Sequence, residues 1–247
     1  MRMYEFFDCN VQIGRFGNPQ PEHPLTASEI EKKLAPLGIK RALAFHALAK
    51  ELHPKEGNEA VLTETSGSSL VPCWVAMPHH TGEIPKPEEF INRMKANNVR
   101  AVRLFPSMHQ YLLSEWCAGE MLAAFEEYRV PVFVESAQTS YEHIAATLKS
   151  FPNLRLIVVQ PSYRCDRYLY PLLEKYCYLA VETSNYLVTG GIEAICKSFG
   201  ASRLVFGSGL PFFEPGAPVA MVTLADISDE DKRMIASENL ERLLRWL

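Results

Sequence analysis

Eight short apolar segments alternate with amphipathic segments along the chain, and this alternation restricts the fold more than any other feature. Each segment is rich in Val, Leu, Ile or Phe and has the length of a β-strand. Strands that alternate with helices form a parallel sheet covered by helices, and eight strands close a (β/α)8 barrel. The segments are residues 3–10, 40–48, 69–77, 99–106, 130–136, 154–160, 178–184 and 203–209.

We therefore predict an α/β fold, namely a single (β/α)8 TIM barrel that occupies residues 1–247 as one domain. An open doubly wound sheet is the alternative. It is weakened because no G-x-G-x-x-G motif or Walker loop follows any of the strands. Five helical patterns lie at residues 26–38, 86–98, 117–129, 140–153 and 190–200, and two short helices are predicted within 228–247.

Composition and charge exclude several classes of function. The net charge is −4 without a basic stripe, so we expect no nucleic-acid partner. We also expect no membrane span, because no apolar run approaches about 18 residues. We expect no signal peptide, because no apolar stretch follows a positive region at the N-terminus. The six cysteines are scattered and form no C-x-x-C pair, which is typical of reduced thiols in a cytoplasmic protein.

The polar residues at the ends of the predicted strands are the candidate site residues. In barrels and in open α/β sheets alike, the functional site lies at the carboxyl ends of the strands. Asp8, Asn10 and Gln12 alternate along the first strand, so they are predicted to face one side. The full set is Asp8, Asn10, Gln12, His46, His79, His80, Arg103, Glu135, Gln160, Glu182, Asn185 and Ser208.

An ordered series of fragments resembles a known superfamily over nearly the whole chain. "FDCNVQIG" resembles an opening Asp-x-His-x-His-x-x-Gly motif, and "RLVFGSGLPF" resembles Phe-Gly-Ser-Asp-x-Pro on a last strand. "LGIKRALAF", "NNVRAVRLFP", "VPVFVESA", "NLRLIVVQP" and "ISDEDKRMIASENLERLL" fall between or after them in suitable order. The chain thus resembles the amidohydrolase superfamily, in the amidohydrolase-related branch that includes aminocarboxymuconate-semialdehyde decarboxylase-like proteins. The resemblance implies a TIM barrel of the metal-dependent hydrolase type.

The resemblance fails at the positions where the family binds a divalent metal. The family uses two histidines on strand one, one on each of strands five and six, and an aspartate on strand eight. The corresponding residues here are Asn10, Gln12, Glu135, Gln160 and Gly209. Neutral amides are poor zinc ligands, so we predict no metal, no other cofactor and no metal-dependent hydrolysis. A displaced metal site that uses His46, His79 or His80 is the alternative.

Glu135 and Arg103 are the candidate catalytic residues. Glu135 ends an apolar strand, where a buried carboxylate can act as an acid or a base. Its alternative role is an ion pair with Arg103, Arg164 or a helix terminus. Arg103 is a candidate anion clamp, and pairing with Glu135 is its alternative role.

The remaining mouth residues are candidates for ligand binding. Asn10, Gln12 and Gln160 can hydrogen-bond a ligand or form a network with one another. The other candidates are Tyr163, Arg164 and Asn185.

Three functions are compatible with this sequence. The first is a diverged, metal-free amidohydrolase-family protein that binds or transforms a small polar or carboxylated molecule at the barrel mouth. The second is a metal-independent hydrolase, lactonase or decarboxylase that uses Glu135 and Arg103. The third is a non-catalytic scaffold. We expect a small-molecule ligand as the partner, and a homo-oligomer is compatible with the sequence.

Overall fold

The computed structural model describes residues 4–247, in which short parallel strands alternate with helices. The first predicted segment begins at residue 3, which lies outside the described residues. The strands are β1 (Phe6–Ile13), β2 (Ile39–His46), β3 (Leu70–Pro72), β4 (Trp74–Ala76), β5 (Val102–Leu104), β6 (Val132–Glu135), β7 (Leu156–Val159), β8 (Ala180–Glu182) and β9 (Leu204–Val205).

The helices include all five main helices that were predicted and the two short ones within 228–247, whereas α2, α3, α7 and α9 were not predicted. They are α1 (Ala27–Leu34), α2 (Ala47–Glu51), α3 (Pro54–Thr65), α4 (Pro87–Ala96), α5 (Glu115–Glu127), α6 (Tyr141–Ser150), α7 (Asp166–Lys175), α8 (Gly191–Phe199), α9 (Gly216–Leu224), α10 (Asp229–Arg233) and α11 (Asn239–Leu243). A π-helical segment, Met234–Glu238, joins α10 to α11.

Helix α1 shows how local sequence sets an element boundary. The Thr26 hydroxyl accepts from the Glu29 amide, and the Glu29 carboxylate accepts from the Thr26 amide, which completes a capping box. Such a cap is worth about 1 kcal/mol. The chain leaves the helical region at Gly38, whose φ of 78° is left-handed and suits glycine.

The third barrel strand is divided into two segments, β3 and β4. β3 pairs with β2 on one side, whereas β4 pairs with β5 on the other. Between them, the Cys73 amide donates to the Ala44 carbonyl at 2.8 Å, and the Trp74 amide donates to the Ala101 carbonyl at 3.2 Å. The segment predicted as one strand over 69–77 is therefore a single barrel strand that changes partner at Cys73.

The barrel closes between the first and the last strand. The Cys9 amide donates to the Phe206 carbonyl at 2.9 Å, and the Gly209 amide donates to the Asn10 carbonyl at 3.0 Å. The Gln12 amide adds a bond to the Leu210 carbonyl at 2.9 Å. Every strand pair is parallel. The predicted TIM barrel is confirmed, and the open sheet is excluded.

Two apolar cores lie inside and outside the barrel wall. The outer core fills the space between the strands and the surrounding helices. The inner core fills the barrel and is sealed at the base by Leu240 and Leu244 of the terminal helical segment. Its larger members are Phe7, Leu43, Phe45, Phe105, Phe133, Ile157, Val159 and Val205. This filling leaves the polar groups of the barrel concentrated at its carboxyl-terminal end.

Candidate functional site

Strand β1 changes its alternation just before the barrel mouth. Phe7 and Cys9 lie in the inner core, whereas Val11 and Ile13 belong to the outer core. The register against β2 shifts between Asp8 and Val11. An extra residue on one strand of a pair is a β-bulge, and bulges re-aim the side chains that follow them.

Asp8 lies at the seam between β1 and β9 and binds two backbone amides there. Its Oδ1 accepts from the amides of Asn10 and Ser208, each at 2.9 Å. The prediction that Asp8 shares a face with Asn10 and Gln12 is wrong, because the bulge reverses the alternation after Cys9. Asp8 is a structural residue of the seam.

Asn10 connects a buried cation to a buried anion. Its Oδ1 accepts from Arg103 Nη2 at 2.8 Å, and its Nδ2 lies 3.4 Å from Glu182 Oε2. Arg103 is only 1% exposed, and its guanidinium lies 4.5 Å over the Phe45 ring. The mouth residues Asn10 and Arg103 thus belong to one polar network at the top of the inner core.

Glu182 receives most of the hydrogen bonds of this network. Its Oε2 accepts from the Gln160 amide at 2.9 Å and from the Ser184 hydroxyl at 2.8 Å, and its Oε1 accepts from the Ser184 amide at 2.5 Å. Burial nevertheless raises the pKa of Glu182 to about 7, and the nearby Asp8 carboxylate adds to this rise. Burial likewise raises the pKa of Asp8 above its ordinary value. The network therefore holds an acid that titrates near neutrality.

Gln12 is the least satisfied polar side chain of the mouth. It is 2% exposed, and neither its Oε1 nor its Nε2 has a hydrogen-bond partner among residues 4–247. Arg103 Nε is also buried without a partner in this part of the chain. The predicted network of amides is therefore incomplete, because Gln12 remains outside it.

Glu135 is bound by a lysine that the sequence analysis did not select. Lys50 Nζ lies 3.4 Å from Glu135 Oε1 and 3.2 Å from Oε2, and both side chains are largely buried. Within the described residues, no ion pair forms between Glu135 and either Arg103 or Arg164, so the predicted arginine pairing is wrong. Lys50 lies in α2, the short helix that directly follows β2. The sequence analysis selected polar residues at strand ends, so it did not include this lysine.

Two aromatic rings lie near the lysine of this ion pair. The Lys50 ammonium lies 4.8 Å from the Phe105 ring centroid and 6.0 Å from that of Phe212. The Phe212 ring in turn packs against Phe16 at 5.0 Å. Phe212 is 46% exposed, so the mouth presents an accessible aromatic face beside a buried cation.

Of the other predicted ligand-binding residues, Gln160 joins the buried network through its backbone. The Gln160 amide donates to Glu182, and the Gln160 carbonyl accepts from the Ser136 hydroxyl at 2.7 Å, so the backbone of Gln160 makes these contacts. Tyr163 is 59% exposed and stacks under the Arg164 guanidinium at 5.0 Å. Asn185 is half-buried. Ligand binding by Tyr163, Arg164 and Asn185 stays a prediction.

The histidines divide into two groups. His46 caps α2, since its Nδ1 accepts from the Leu48 amide at 3.0 Å while its Nε2 lies 3.2 Å from Glu64 Oε1. His46 is thus not one of the displaced metal ligands. His79 and His80 lie together after β4, with ring centroids 4.3 Å apart.

Gly209 stands where the resemblance expects an aspartate. Its φ is +74°, and a Cβ built there would lie 2.4 Å from the Phe213 ring. A carboxylate side chain therefore cannot occupy this position unless Phe213 moves.

The fold class follows from the arrangement of the strands and helices. The chain is a TIM barrel, and its structural neighbours include members of the amidohydrolase superfamily. No family model and no curated protein matches the sequence.

Three solved structures illustrate the similarity. An uncharacterised TIM-barrel protein from Bordetella bronchiseptica has a TM-score of 0.76 and 16% identity, and the match covers 98% of this chain and 99% of that one. The 2,6-dihydroxybenzoate decarboxylase from Rhizobium has a TM-score of 0.78 and 11% identity, with coverages of 98% and 99%. A 5-carboxyvanillate decarboxylase from Novosphingobium aromaticivorans, in complex with manganese and a nitrobenzoic acid, has a TM-score of 0.78 and 11% identity, with coverages of 98% and 96%. At these identities the likeness establishes the fold.

No helix within residues 4–247 is both long enough and apolar enough to cross a membrane.

Proposed function

We propose that the protein binds a small carboxylated molecule at the barrel mouth and does so without a metal ion. The observation that carries the proposal is the unpartnered amide of Gln12, which is buried beside a network of charged groups. A buried polar group without a partner costs about 1–3 kcal/mol. A ligand that offers both a donor and an acceptor would remove that cost, and a carboxylic acid or its hydrated carboxylate fits this requirement.

The donor set does not fit the family's divalent metal. Asn10 Oδ1 already accepts a hydrogen bond from the Arg103 guanidinium, so a metal ion bound to this oxygen would lie close to a second positive charge. Glu135 is neutralised by Lys50, and Gly209 offers no ligand atom and no room for one. Zinc and related ions bind imidazole, thiolate or carboxylate, and here the one carboxylate at these positions is engaged. The proposed binding function therefore uses the side chains of the mouth alone.

Two side-chain cations supply positive charge at the mouth instead. The Lys50 ammonium lies over the Phe105 ring, and the Arg103 guanidinium donates to Asn10 Oδ1. A carboxylate that replaced one Glu135 contact with Lys50 would form a charge-assisted hydrogen bond, which is worth about 1.5–3 kcal/mol. Arg103 would act through Asn10, because its guanidinium is buried below the surface of the mouth.

An aromatic acid is the ligand class that we favour. The half-exposed Phe212 ring stands 6.0 Å from the Lys50 ammonium, so an aromatic ring can pack on Phe212 while its carboxylate approaches Lys50. Two structural neighbours are decarboxylases of 2,6-dihydroxybenzoate and 5-carboxyvanillate, which are carboxylated aromatic compounds. This likeness supports the choice of ligand class for the first screen.

Metal-independent catalysis is the second candidate, and Glu182 favours it. Its pKa of about 7 lets it hold or release a proton near neutrality, and Asn10 connects it to Arg103. In this function, Glu182 or Glu135 would exchange a proton with the ligand in a hydrolysis, a lactone opening or a decarboxylation. This activity is established if the wild type turns over a bound acid and Glu135→Gln or Glu182→Gln abolishes that turnover. Turnover that both variants leave unchanged would exclude it.

Thermal-shift measurements test the binding proposal. The wild type should be stabilised by benzoates and hydroxybenzoates but not by the matching benzamides, which keep the ring and lose the charge. The double variant Lys50→Met/Glu135→Leu removes both charges together and should lose this response. If no acid stabilises the wild type, the mouth is closed and the protein is a scaffold. Equal responses to acids and amides would contradict recognition through charge.

A further inference from the structure

Two adjacent histidines and a glutamate meet near the carboxyl end of β4. His79 and His80 begin the short helical turn that follows β4, and their ring centroids lie 4.3 Å apart with the ring planes tilted by 31°. Glu120 lies on α5, and its Oε2 is 3.6 Å from His79 Nε2. One ligand atom from each of the three residues lies within 4.8 Å of the others. This cluster is separate from the network around Asn10 and Glu182.

We propose that His79, His80 and Glu120 form a binding site for a divalent transition metal of the zinc type. Two imidazoles and one carboxylate are a recurrent ligand set for zinc, with one position left for water. Imidazole nitrogen also favours Ni²⁺, Cu²⁺ and Zn²⁺ over Mg²⁺ and Ca²⁺, which prefer oxygen ligands. The site is accordingly selective for the transition metals.

The geometry needs only a small contraction to reach coordination distances. Zinc–ligand bonds of about 2.0–2.1 Å place tetrahedral donors roughly 3.3 Å apart. The observed separations of up to 4.8 Å must shrink by about 1.5 Å. Glu120 is 69% exposed and His80 is also exposed, so rotation of these two side chains can close the gap while His79 stays in place.

The contacts within the cluster do not account for its arrangement without a ligand. The 3.6 Å separation between His79 and Glu120 exceeds a hydrogen-bond distance, and an exposed ion pair of this kind contributes little to stability. His79 Nδ1 is buried without a partner in residues 4–247.

Titration calorimetry with ZnCl₂ tests the site directly and needs no assay of activity. The wild type should bind zinc saturably at about one ion per chain and should show no such binding of Mg²⁺. His80→Ala and Glu120→Gln should each weaken binding at least tenfold, since even outer-shell partners of a metal are worth roughly 10–100-fold. Both residues are exposed, so the variants should keep the wild-type melting temperature.

A matched control uses a histidine elsewhere on the surface. His143 on α6 is partly exposed and belongs to no metal-binding cluster in the described part of the chain. His143→Ala should therefore bind zinc like the wild type. The proposal is overturned if the wild type shows no saturable binding, or if His80→Ala and Glu120→Gln bind as tightly as His143→Ala. The mouth variants of the binding proposal should leave the zinc affinity unchanged, so the two proposals fail independently.

Discussion

Replacing Gln12 by methionine should stabilise the free protein, although the substitution removes a polar side chain from a candidate site. Gln12 is 2% exposed, and both of its amide atoms lack partners among residues 4–247. Methionine has nearly the same length and shape, so the change removes the cost of the buried amide and opens no large cavity. We expect a gain of about 1–3 kcal/mol in the free energy of unfolding. For a chain of this size, each kcal/mol corresponds to roughly 2–4 °C in Tm.

Asn58 provides the matched control for this substitution. It is also a buried amide, but its Oδ1 accepts from the Val75 amide at 2.7 Å and its Nδ2 donates to the Val75 carbonyl at 2.8 Å. Asn58→Leu leaves both backbone groups without partners and should cost at least about 1–3 kcal/mol. Urea unfolding of the three proteins, with and without a benzoate ligand, gives the comparison. Gln12→Met should be more stable than the wild type and should lose its response to the ligand.

The reasoning fails if Gln12→Met is destabilised as much as Asn58→Leu. That result would mean that the Gln12 amide is satisfied in the free protein, and the argument for a ligand would lose its main support. A stabilised variant that still responds fully to the ligand would contradict the placement of Gln12 in the binding site.

Three further predictions concern the charged groups. Lys50→Met leaves Glu135 buried without its cation and should cost about 3–5 kcal/mol, most of which the double variant Lys50→Met/Glu135→Leu should recover in urea unfolding. The pKa of Glu182 is about 7 in the folded protein, above its ordinary value of 4.5, so between these pH values the folded protein holds a proton that the unfolded chain releases. The free energy of unfolding should therefore fall as the pH rises from about 4.5 to 7. Glu182→Gln should remove about 3 kcal/mol of this pH dependence, and an unchanged slope would refute the assignment. Elemental analysis after exposure to zinc or manganese and desalting should give the same metal content for Glu135→Gln as for the wild type, whereas a loss in the variant would place a metal at the mouth.

The sequence predicts the barrel well because strand formation here depends on short local patterns. Proline and glycine explain the split of the predicted third strand and the failure to predict helices α3 and α7. Pro72 lacks an amide hydrogen and ends β3, which divides the predicted strand. Helix α3 contains Gly57 and α7 contains Pro171, and both residues favour loops when the sequence is read alone. Tertiary packing overrides that preference at Gly57, where a Cβ would lie 2.0 Å from the Ala49 amide nitrogen.

The candidate site was predicted less completely than the fold. Glu135 and Arg103 were correctly placed near strand ends, but their partners are Lys50 and Asn10. The Lys50–Glu135 contact joins residues 85 positions apart and depends on the direction of a five-residue helix, which no local pattern encodes. The bulge in β1 is a second feature of this kind. It depends on the register against β2, so it appears only once the strands are paired.

The seam between the first and last strands has a consequence for how the chain folds. Asp8 and Ser208, which meet across this seam, are 200 residues apart in sequence. Contacts of such long range are slow to form, because the ordering entropy of the intervening chain must be overcome first. During synthesis β1 emerges about 200 residues before its partner on this side. We therefore expect the edge of β1 to stay unpaired until that partner is made, and the amides of Gln12 and Gly209 should gain protection from hydrogen exchange among the latest in refolding.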